Sequence, residues 1–353
     1  MEYCNLGYSG LQVSKLGLGT MPFGTGLDEK SCRYLVDSYY DIGGNLIDTA
    51  NLYGGGLKVN NKKMAGTSEV AVGKSVKGKR DRFIIATKGY FLIEDDIWPN
   101  SVGLSRTYLA KNIEASLKRL NTDYIDLFQC HMWDFYTPVE ETLRVLDDFV
   151  RAGKIRYIGV SNWDGWHVVK ANSYAKQYGL TPIISNQIWY TLADRVAENS
   201  IIPACRDQKV SIIAWGALAQ GFLTGKYKHG DKKPDPNSRF KYFKDNEMSS
   251  FKLLSNERNL NVLYIISHIA KEHNSSIPNV AIRWLLQSGN CDVVLLGGSK
   301  VQQYAETFNA INFKLTDTEV EKLRNASELL HPYPMVFYDL FCKHDSEFYG
   351  GLR

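Results

Sequence analysis

The sequence predicts a (β/α)8 TIM barrel, and three observations carry that expectation. Eight short apolar runs recur along the chain, longer amphipathic patterns separate them, and no shift in composition divides the 353 residues. Short runs that are apolar on both faces suit parallel strands, because helices cover both sides of such a sheet. Their alternation with helical patterns suits a closed barrel. A length of 353 residues would by itself suggest two or three domains, but β/α barrels run long as single units, so residues 1–353 read as one domain.

In chain order, the stretch YCNLGYSGLQVSKL comes first. Its alternation around Tyr-Ser-Gly reads as a β-hairpin before the barrel, placed to close its bottom. The strand candidates are Leu16–Thr20, Leu46–Asp48, Ile84–Lys88, Asp126–Cys130, Ile155–Val160, Ile183–Gln187, Val210–Trp215 and Asp292–Leu296. After the first strand, Cys32, Leu35, Val36, Tyr39 and Ile42 recur at helical spacing, and Gly43-Gly44 supplies a stop. Leu109, Ile113, Leu117 and Leu120 form a second stripe with Ser105 as its cap. Thr137-Pro138-Val139-Glu140 reads as a capping box with proline at the first helical position, ahead of a face of Val139, Leu143, Leu146 and Val150 that Gly153 ends. Thr316 to Glu319 repeats the capping pattern. An open doubly wound sheet is the alternative architecture. It would carry G-x-G-x-x-G after its first strand, and LGLGTM holds only the first two of those glycines.

Composition narrows the function. An apolar share of 44% supports a large core, and a net charge of +4 without a Lys/Arg block argues against a nucleic-acid partner. Six scattered cysteines, with no C-x-x-C and no metal-ligand spacing, suggest reduced core thiols and a cytoplasmic protein. MEYCNLGYSG lacks the basic and apolar regions of a signal peptide, and no apolar run has the length of a membrane span.

In such a barrel the C-terminal ends of the strands carry the chemistry. Those positions hold Asp48, with Tyr53 just beyond it, then Lys88, His131, Ser161, Asn162, Gln187, Trp215 and the segment Gly297-Gly298-Ser299-Lys300. A phenol titrates near ~10 and is a poor proton donor or acceptor at neutral pH. A nearby ammonium favours its anion, and a buried ammonium needs a counter-ion of its own. Lys88 and Asp48 fill these two roles, and His131 can orient a substrate oxygen. Together Asp48, Tyr53, Lys88 and His131 form a device that delivers a proton to a carbonyl oxygen. The set has no nucleophilic Ser or Cys and no metal cluster, so the hydride must come from a dissociable cofactor, most simply a nicotinamide. Ser161, Asn162 and Gln187 suit a carboxamide, and Trp215 offers a face on which the ring can stack.

The blocks LIDTANLYGGG, IIATKGY, LFQCHMWD, GKIRYIGVSNW, SNQIWY, IIAWGALAQGFLTGKY and LLGGSKVQQYAE resemble, in order and over nearly the whole chain, those of the aldo-keto reductase family. The combination is specific, although single blocks are not. The resemblance implies a (β/α)8 barrel, NADP(H)-dependent reduction of aldehydes or ketones, and the tetrad Asp48, Tyr53, Lys88 and His131, with Tyr53 giving the proton. It places Ser161, Asn162 and Gln187 at the carboxamide, Trp215 against the ring, and Leu218 and Gly221 around the pyrophosphate, followed by Lys226. Gly298, Ser299, Gln303 and Glu306 fall at the adenosine-phosphate end. Arg239 either reaches a phosphate or stands as an exposed loop arginine. Thr307 replaces an asparagine common in the family, and Ser299 replaces an arginine that some relatives use for the 2′-phosphate. Lys226, Arg239 and Lys300 support NADP(H) as the preferred cofactor, with NAD(H) as the alternative.

A small-molecule carbonyl substrate is expected among Phe23, Tyr90 and Trp133, with Phe91 and Trp98 as further lining candidates. The Lys- and Asn-rich insertion at 57–67 is expected to border the pocket. The aromatic tail after His331 either folds near the barrel mouth or packs on the outer helices. Two other functions stay open: a nucleotide-sensing regulatory subunit of the kind that serves potassium channels, and a sugar or alcohol dehydrogenase working oxidatively. No nucleic-acid or membrane partner is expected, and the sequence leaves homo-oligomerisation open.

Overall fold

The computed structural model describes residues 1–54, 64–93, 98–227 and 251–341. Eight parallel strands close on themselves: β3 (Leu16–Gly19), β4 (Leu46–Asp48), β5 (Ile84–Gly89), β6 (Ile125–Cys130), β7 (Ile155–Ser161), β8 (Ile183–Trp189), β9 (Ser211–Trp215) and β10 (Val293–Leu296). Each pairs with its neighbour in chain order, and β10 pairs with β3 to shut the cylinder, with Val294 opposite Leu16. This closure excludes the open doubly wound sheet. The eight predicted runs coincide with these strands to within a residue or two at each end. Ahead of them, β1 (Tyr3–Asn5) and β2 (Gln12–Ser14) pair antiparallel as the expected hairpin.

Helices alternate with the strands and follow the last of them. They are α1 (Glu29–Asp41), α2 (Thr67–Ser75), α3 (Arg106–Leu120), α4 (Val139–Arg151), α5 (Gly165–Tyr178), α6 (Ile201–Asp207), α7 (Phe251–Leu254), α8 (Glu257–Glu272), α9 (Ile277–Gln287), α10 (Val301–Phe308), α11 (Asp317–Ala326) and α12 (Met335–Phe341). Cys32, Leu35, Val36 and Tyr39 are the buried face of α1, as their spacing predicts. Ser105 caps α3 by accepting from the Tyr108 amide, and Thr316 and Glu319 form the reciprocal capping box of α11.

The capping box expected at the start of α4 does not form. Pro138 occupies the cap position, and Thr137 turns back instead to donate its hydroxyl to Asp134 Oδ2 at 2.7 Å. Asp134 also accepts from the amides of Leu104 and Tyr136, so a loop carboxylate wins the threonine that a helix end would have used.

Two apolar cores result. The larger lies between the strands and the helices. The smaller fills the lower barrel with Leu46, Ala86, Leu127, Ile184, Ile213, Val293 and Leu295, and Leu6, Leu11 and Val13 of the hairpin region plug it from below. Among the described residues no helix is long and apolar enough to cross a membrane. The described part of the tail ends in α12, where Phe337 and Tyr338 are exposed, as is Tyr333 just before it.

Candidate active site

Strand geometry alternates side chains between the barrel interior and the helix layer. Two residues above the apolar plug, the inward positions therefore become polar: Asp48 above Leu46, Lys88 above Ala86, Gln129 above Leu127. Trp215 stands in the same relation to Ile213.

Lys88 is wholly buried and donates to three oxygens: Asp48 Oδ2 at 2.6 Å, the Thr49 carbonyl at 2.9 Å and the Tyr53 hydroxyl at 3.0 Å. Its ammonium also lies 4.6 Å from the centre of the Tyr53 ring. Burial alone pushes a lysine's pKa down. The charges of Asp48 and Tyr53 more than offset that, and the Lys88 pKa is raised above its ordinary value. The site thus holds a fixed positive charge. The other oxygen of Asp48, Oδ1, accepts from Gln187 Nε2 at 2.7 Å and from Gln129 Nε2 at 3.0 Å. Every contact to this carboxylate is a donor, which offsets the cost of burying it.

His131 follows β6 and meets Tyr53 edge-on, with ring centres 6.0 Å apart. Phe91 packs on its other side at 4.9 Å. Burial first, and then the charge of Lys88, hold the His131 pKa well below the usual 6.5, so the imidazole is neutral at neutral pH. Its Nδ1 is buried without a hydrogen-bond partner. Asn162 and Trp215 make a second unit. The Trp215 indole N–H donates to Asn162 Oδ1 at 3.0 Å, while Asn162 Nδ2 donates to the His131 carbonyl and to Ser161 Oγ. Asn162 adopts φ +57, a region asparagine tolerates better than most residues. Ser161 Oγ donates to the main-chain carbonyl of Gln187. Asn162 thus ties Trp215 to the end of β6 and to Ser161.

Beyond β9, Ala219, Gln220 and Gly221 have φ of +47, +58 and +92 in succession. Only the glycine adopts such a conformation freely. Leu218 precedes this run, and Lys226 is exposed just past it, its ammonium near the Tyr227 ring. Gln303 accepts from the amides of Ser299 and Lys300 at the start of α10, with Gly298 packed beside it, and Glu306 is exposed on the helix. Arg239 lies outside the described residues, as does most of the 57–67 insertion.

The substrate-lining expectations divide. Tyr90 and Phe91 contact each other, and Phe91 touches His131. Phe23 is completely buried in the core between barrel and helices, so its ring does not face an open pocket. Trp133 stacks flat on His167 at 3.9 Å and meets Trp163 edge-on, in a rim cluster apart from the tetrad. Beside that cluster is a cleft of about 340 Å³ lined by Trp133, Phe135, Tyr136, Trp166 and Lys170, and no tetrad residue lines it. Trp98 is exposed. Gln129 did not emerge from the sequence. Its one signal was a polar residue at an inward position of a buried strand, two places before His131. Trp189, which meets Trp215 edge-on at 5.0 Å, was missed as well.

A family model described as "Aldo/keto reductase family" matches residues 15–328. Similar proteins include "Uncharacterized oxidoreductase YrpG" of Bacillus subtilis, 36% identical over 92% of this chain and 95% of that protein. "Norsolorinic acid reductase" of Aspergillus flavus is 31% identical, over 93% of this chain and 81% of its own length. "Probable voltage-gated potassium channel subunit beta" of Oryza sativa is 32% identical, over 92% of this chain and 95% of its own length.

Proposed function

The chain belongs to the aldo/keto reductase family, and from that premise we propose that it reduces an aldehyde or ketone to an alcohol with NADP(H), Tyr53 being the proton donor. The observation that carries this reading is the lysine bridge: one buried ammonium contacts both Asp48 Oδ2 and the Tyr53 hydroxyl. Because Lys88 donates to the phenol oxygen, the phenol's own proton is turned away from it, toward the side where a substrate oxygen would lie. Asp48 keeps the lysine paired, and a neutral His131 beside Tyr53 offers an N–H that orients the carbonyl without adding a second positive charge.

A bound nicotinamide would supply the hydride. The residues fit that group. Trp215 is held by Asn162 as a flat wall, and Gln187, whose nitrogen is taken by Asp48, would have its side-chain oxygen left for a carboxamide. The left-handed run at 219–221 bends the loop after β9, with the amides of Ala219 and Gly221 closed onto the carbonyls of Gly216 and Leu218. Leu218, Gly221 and Lys226 then serve the pyrophosphate, and Gly298, Ser299, Gln303 and Glu306 serve the adenosine end. Exposed Lys226 and Lys300, with Arg239, favour NADP(H) over NAD(H). Phe91 and Tyr90 form the aromatic side of the carbonyl pocket. We place this chemistry in a single unit acting in the cytoplasm on a small molecule.

The test is turnover of 4-nitrobenzaldehyde with NADPH and with NADH, wild type beside Tyr53→Phe. Turnover that the variant loses supports the reading, and equal activity in the two proteins sinks it. A second reading rests on the similarity to a protein named as a potassium channel subunit: a nucleotide-sensing role, favoured if NADPH binds tightly and no carbonyl is reduced.

A further inference from the structure

Gln129 is wholly buried inside the barrel, and the proposed chemistry does not use it. Both ends of its amide are engaged. Nε2 donates to Asp48 Oδ1 at 3.0 Å, and Oε1 accepts from Gln187 Nε2 at 3.2 Å. The neighbouring strand makes room for it. A Cβ on Gly159 would lie 2.5 Å from Ser185 Oγ, 3.1 Å from Gln129 Cγ and 3.2 Å from Leu127 Cδ1, so the glycine of β7 leaves room for Gln129 together with Ser185 and Leu127. A leucine or methionine at position 129 would continue the apolar plug without the cost of burying an amide. A polar residue satisfied at both ends there needs a role.

The hydrogen-bond logic supplies one. A carboxylate only accepts, so both glutamines must turn their nitrogens toward Asp48. The second N–H of Gln187 then meets Gln129 Oε1. With Nε2 committed to Asp48 and Gln129, the Gln187 side-chain oxygen is the end left for a carboxamide. We propose that Gln129 is a positioning residue that couples the two halves of the site, holding Asp48 for the proton side and bracing, as a second anchor beside Asp48, the Gln187 amide for the cofactor side. The inference rests on the reductase reading above. Without Gln129, Asp48 loses one of its donors, and the Gln187 amide is left held by its bond to Asp48 alone.

Two substitutions test this. Gln129→Met keeps the bulk and removes both hydrogen bonds. Gln129→Glu restores them only while the introduced carboxyl is protonated: its O–H donates to Asp48 and its carbonyl accepts from Gln187. The titratable groups around that position are Asp48 on β4, which it contacts, with Lys88 on β5 bonded to Asp48, Tyr53 bonded to Lys88, and His131 beside Tyr53. The neighbouring carboxylate raises the pKa of the introduced acid.

Three readouts are taken across pH: melting of the ligand-free protein, NADPH affinity by quenching of tryptophan fluorescence, and kcat with 4-nitrobenzaldehyde. For Gln129→Met we expect NADPH affinity and kcat each to fall about tenfold, with the pH–rate profile displaced by about half a unit. For Gln129→Glu we expect near-wild-type behaviour at low pH, then a fall in all three readouts as pH rises, through an ionisation that the wild type lacks. The folded state holds that proton longer than the unfolded chain does, so its stability contribution is lost as pH rises. Wild-type values in Gln129→Met would overturn the proposal. So would equal, pH-independent losses in both variants, which would mean packing alone. If the wild type binds NADPH but reduces nothing, the affinity and melting readouts still decide it. If the wild type binds no NADPH, the reductase reading itself fails and this inference falls with it.

Discussion

The two ends of the barrel interior are built on the same strands and differ in almost every other respect. The lower layer is Leu46, Ala86, Leu127, Ile184, Ile213, Val293 and Leu295, sealed by Leu6, Leu11 and Val13. Two residues further along several of those strands stand Asp48, Lys88, Gln129 and Trp215. The lower layer gains by removing apolar surface from water and needs no particular orientation. The upper layer buries a carboxylate, an ammonium and two amides, which is tolerated only because each polar group meets a partner. One end of the cylinder therefore provides stability and the other is held in place by it. A substitution in each should report on different quantities.

The sharpest contrast is Tyr53→Phe, expected to lower kcat by about 10²–10⁴-fold while NADPH affinity and melting temperature stay near wild type. A variant that melted early would remove the distinction between the layers. Next is Lys88→Met, which strands Asp48 as a buried charge. We expect a loss of about 3–5 kcal/mol in urea unfolding, together with loss of turnover. Leu127→Ala, two residues below Gln129, is expected to cost about 2–5 kcal/mol of stability with kcat per folded molecule preserved. If its kcat collapsed as well, the layers would be one unit.

The smallest effect is acidic. His131 is held below the usual 6.5, so the unfolded chain takes up a proton before the folded one does. The resulting stability is complete above about pH 6.5 and declines as pH falls through that value. His131→Asn removes this contribution, and the acid limb of a melting curve series taken from about pH 8 to about pH 5 should become shallower. An unchanged slope would count against a neutral imidazole in the fold.

The periodicity that made the fold legible also concealed part of the site. Strands such as LID and IIATK announce themselves because both faces are buried, and the residues after them could be read as an ordered list. What a list cannot hold is contact across the barrel. Gln129 sits in FQC, whose neighbours look like any buried strand, and its partners Asp48 and Gln187 are remote in sequence. Phe23 and Trp133 were drawn to the pocket by their aromatic character, yet the core took one and a stack on His167 took the other. Thr137 shows the same limit on a small scale: the capping pattern was present, and Asp134 from the adjacent loop claimed the hydroxyl.

The seam between β3 and β10 has a temporal consequence. Leu16 pairs with Val294, so the cylinder cannot close until nearly the whole chain has been made. All four tetrad residues belong to the first half of the sequence, yet they wait on a strand that leaves the ribosome late. Until then β3 and the growing front of the sheet are open edges, able to pair with another chain. Protection of the half-built sheet during synthesis is therefore a requirement separate from the stability of the finished barrel.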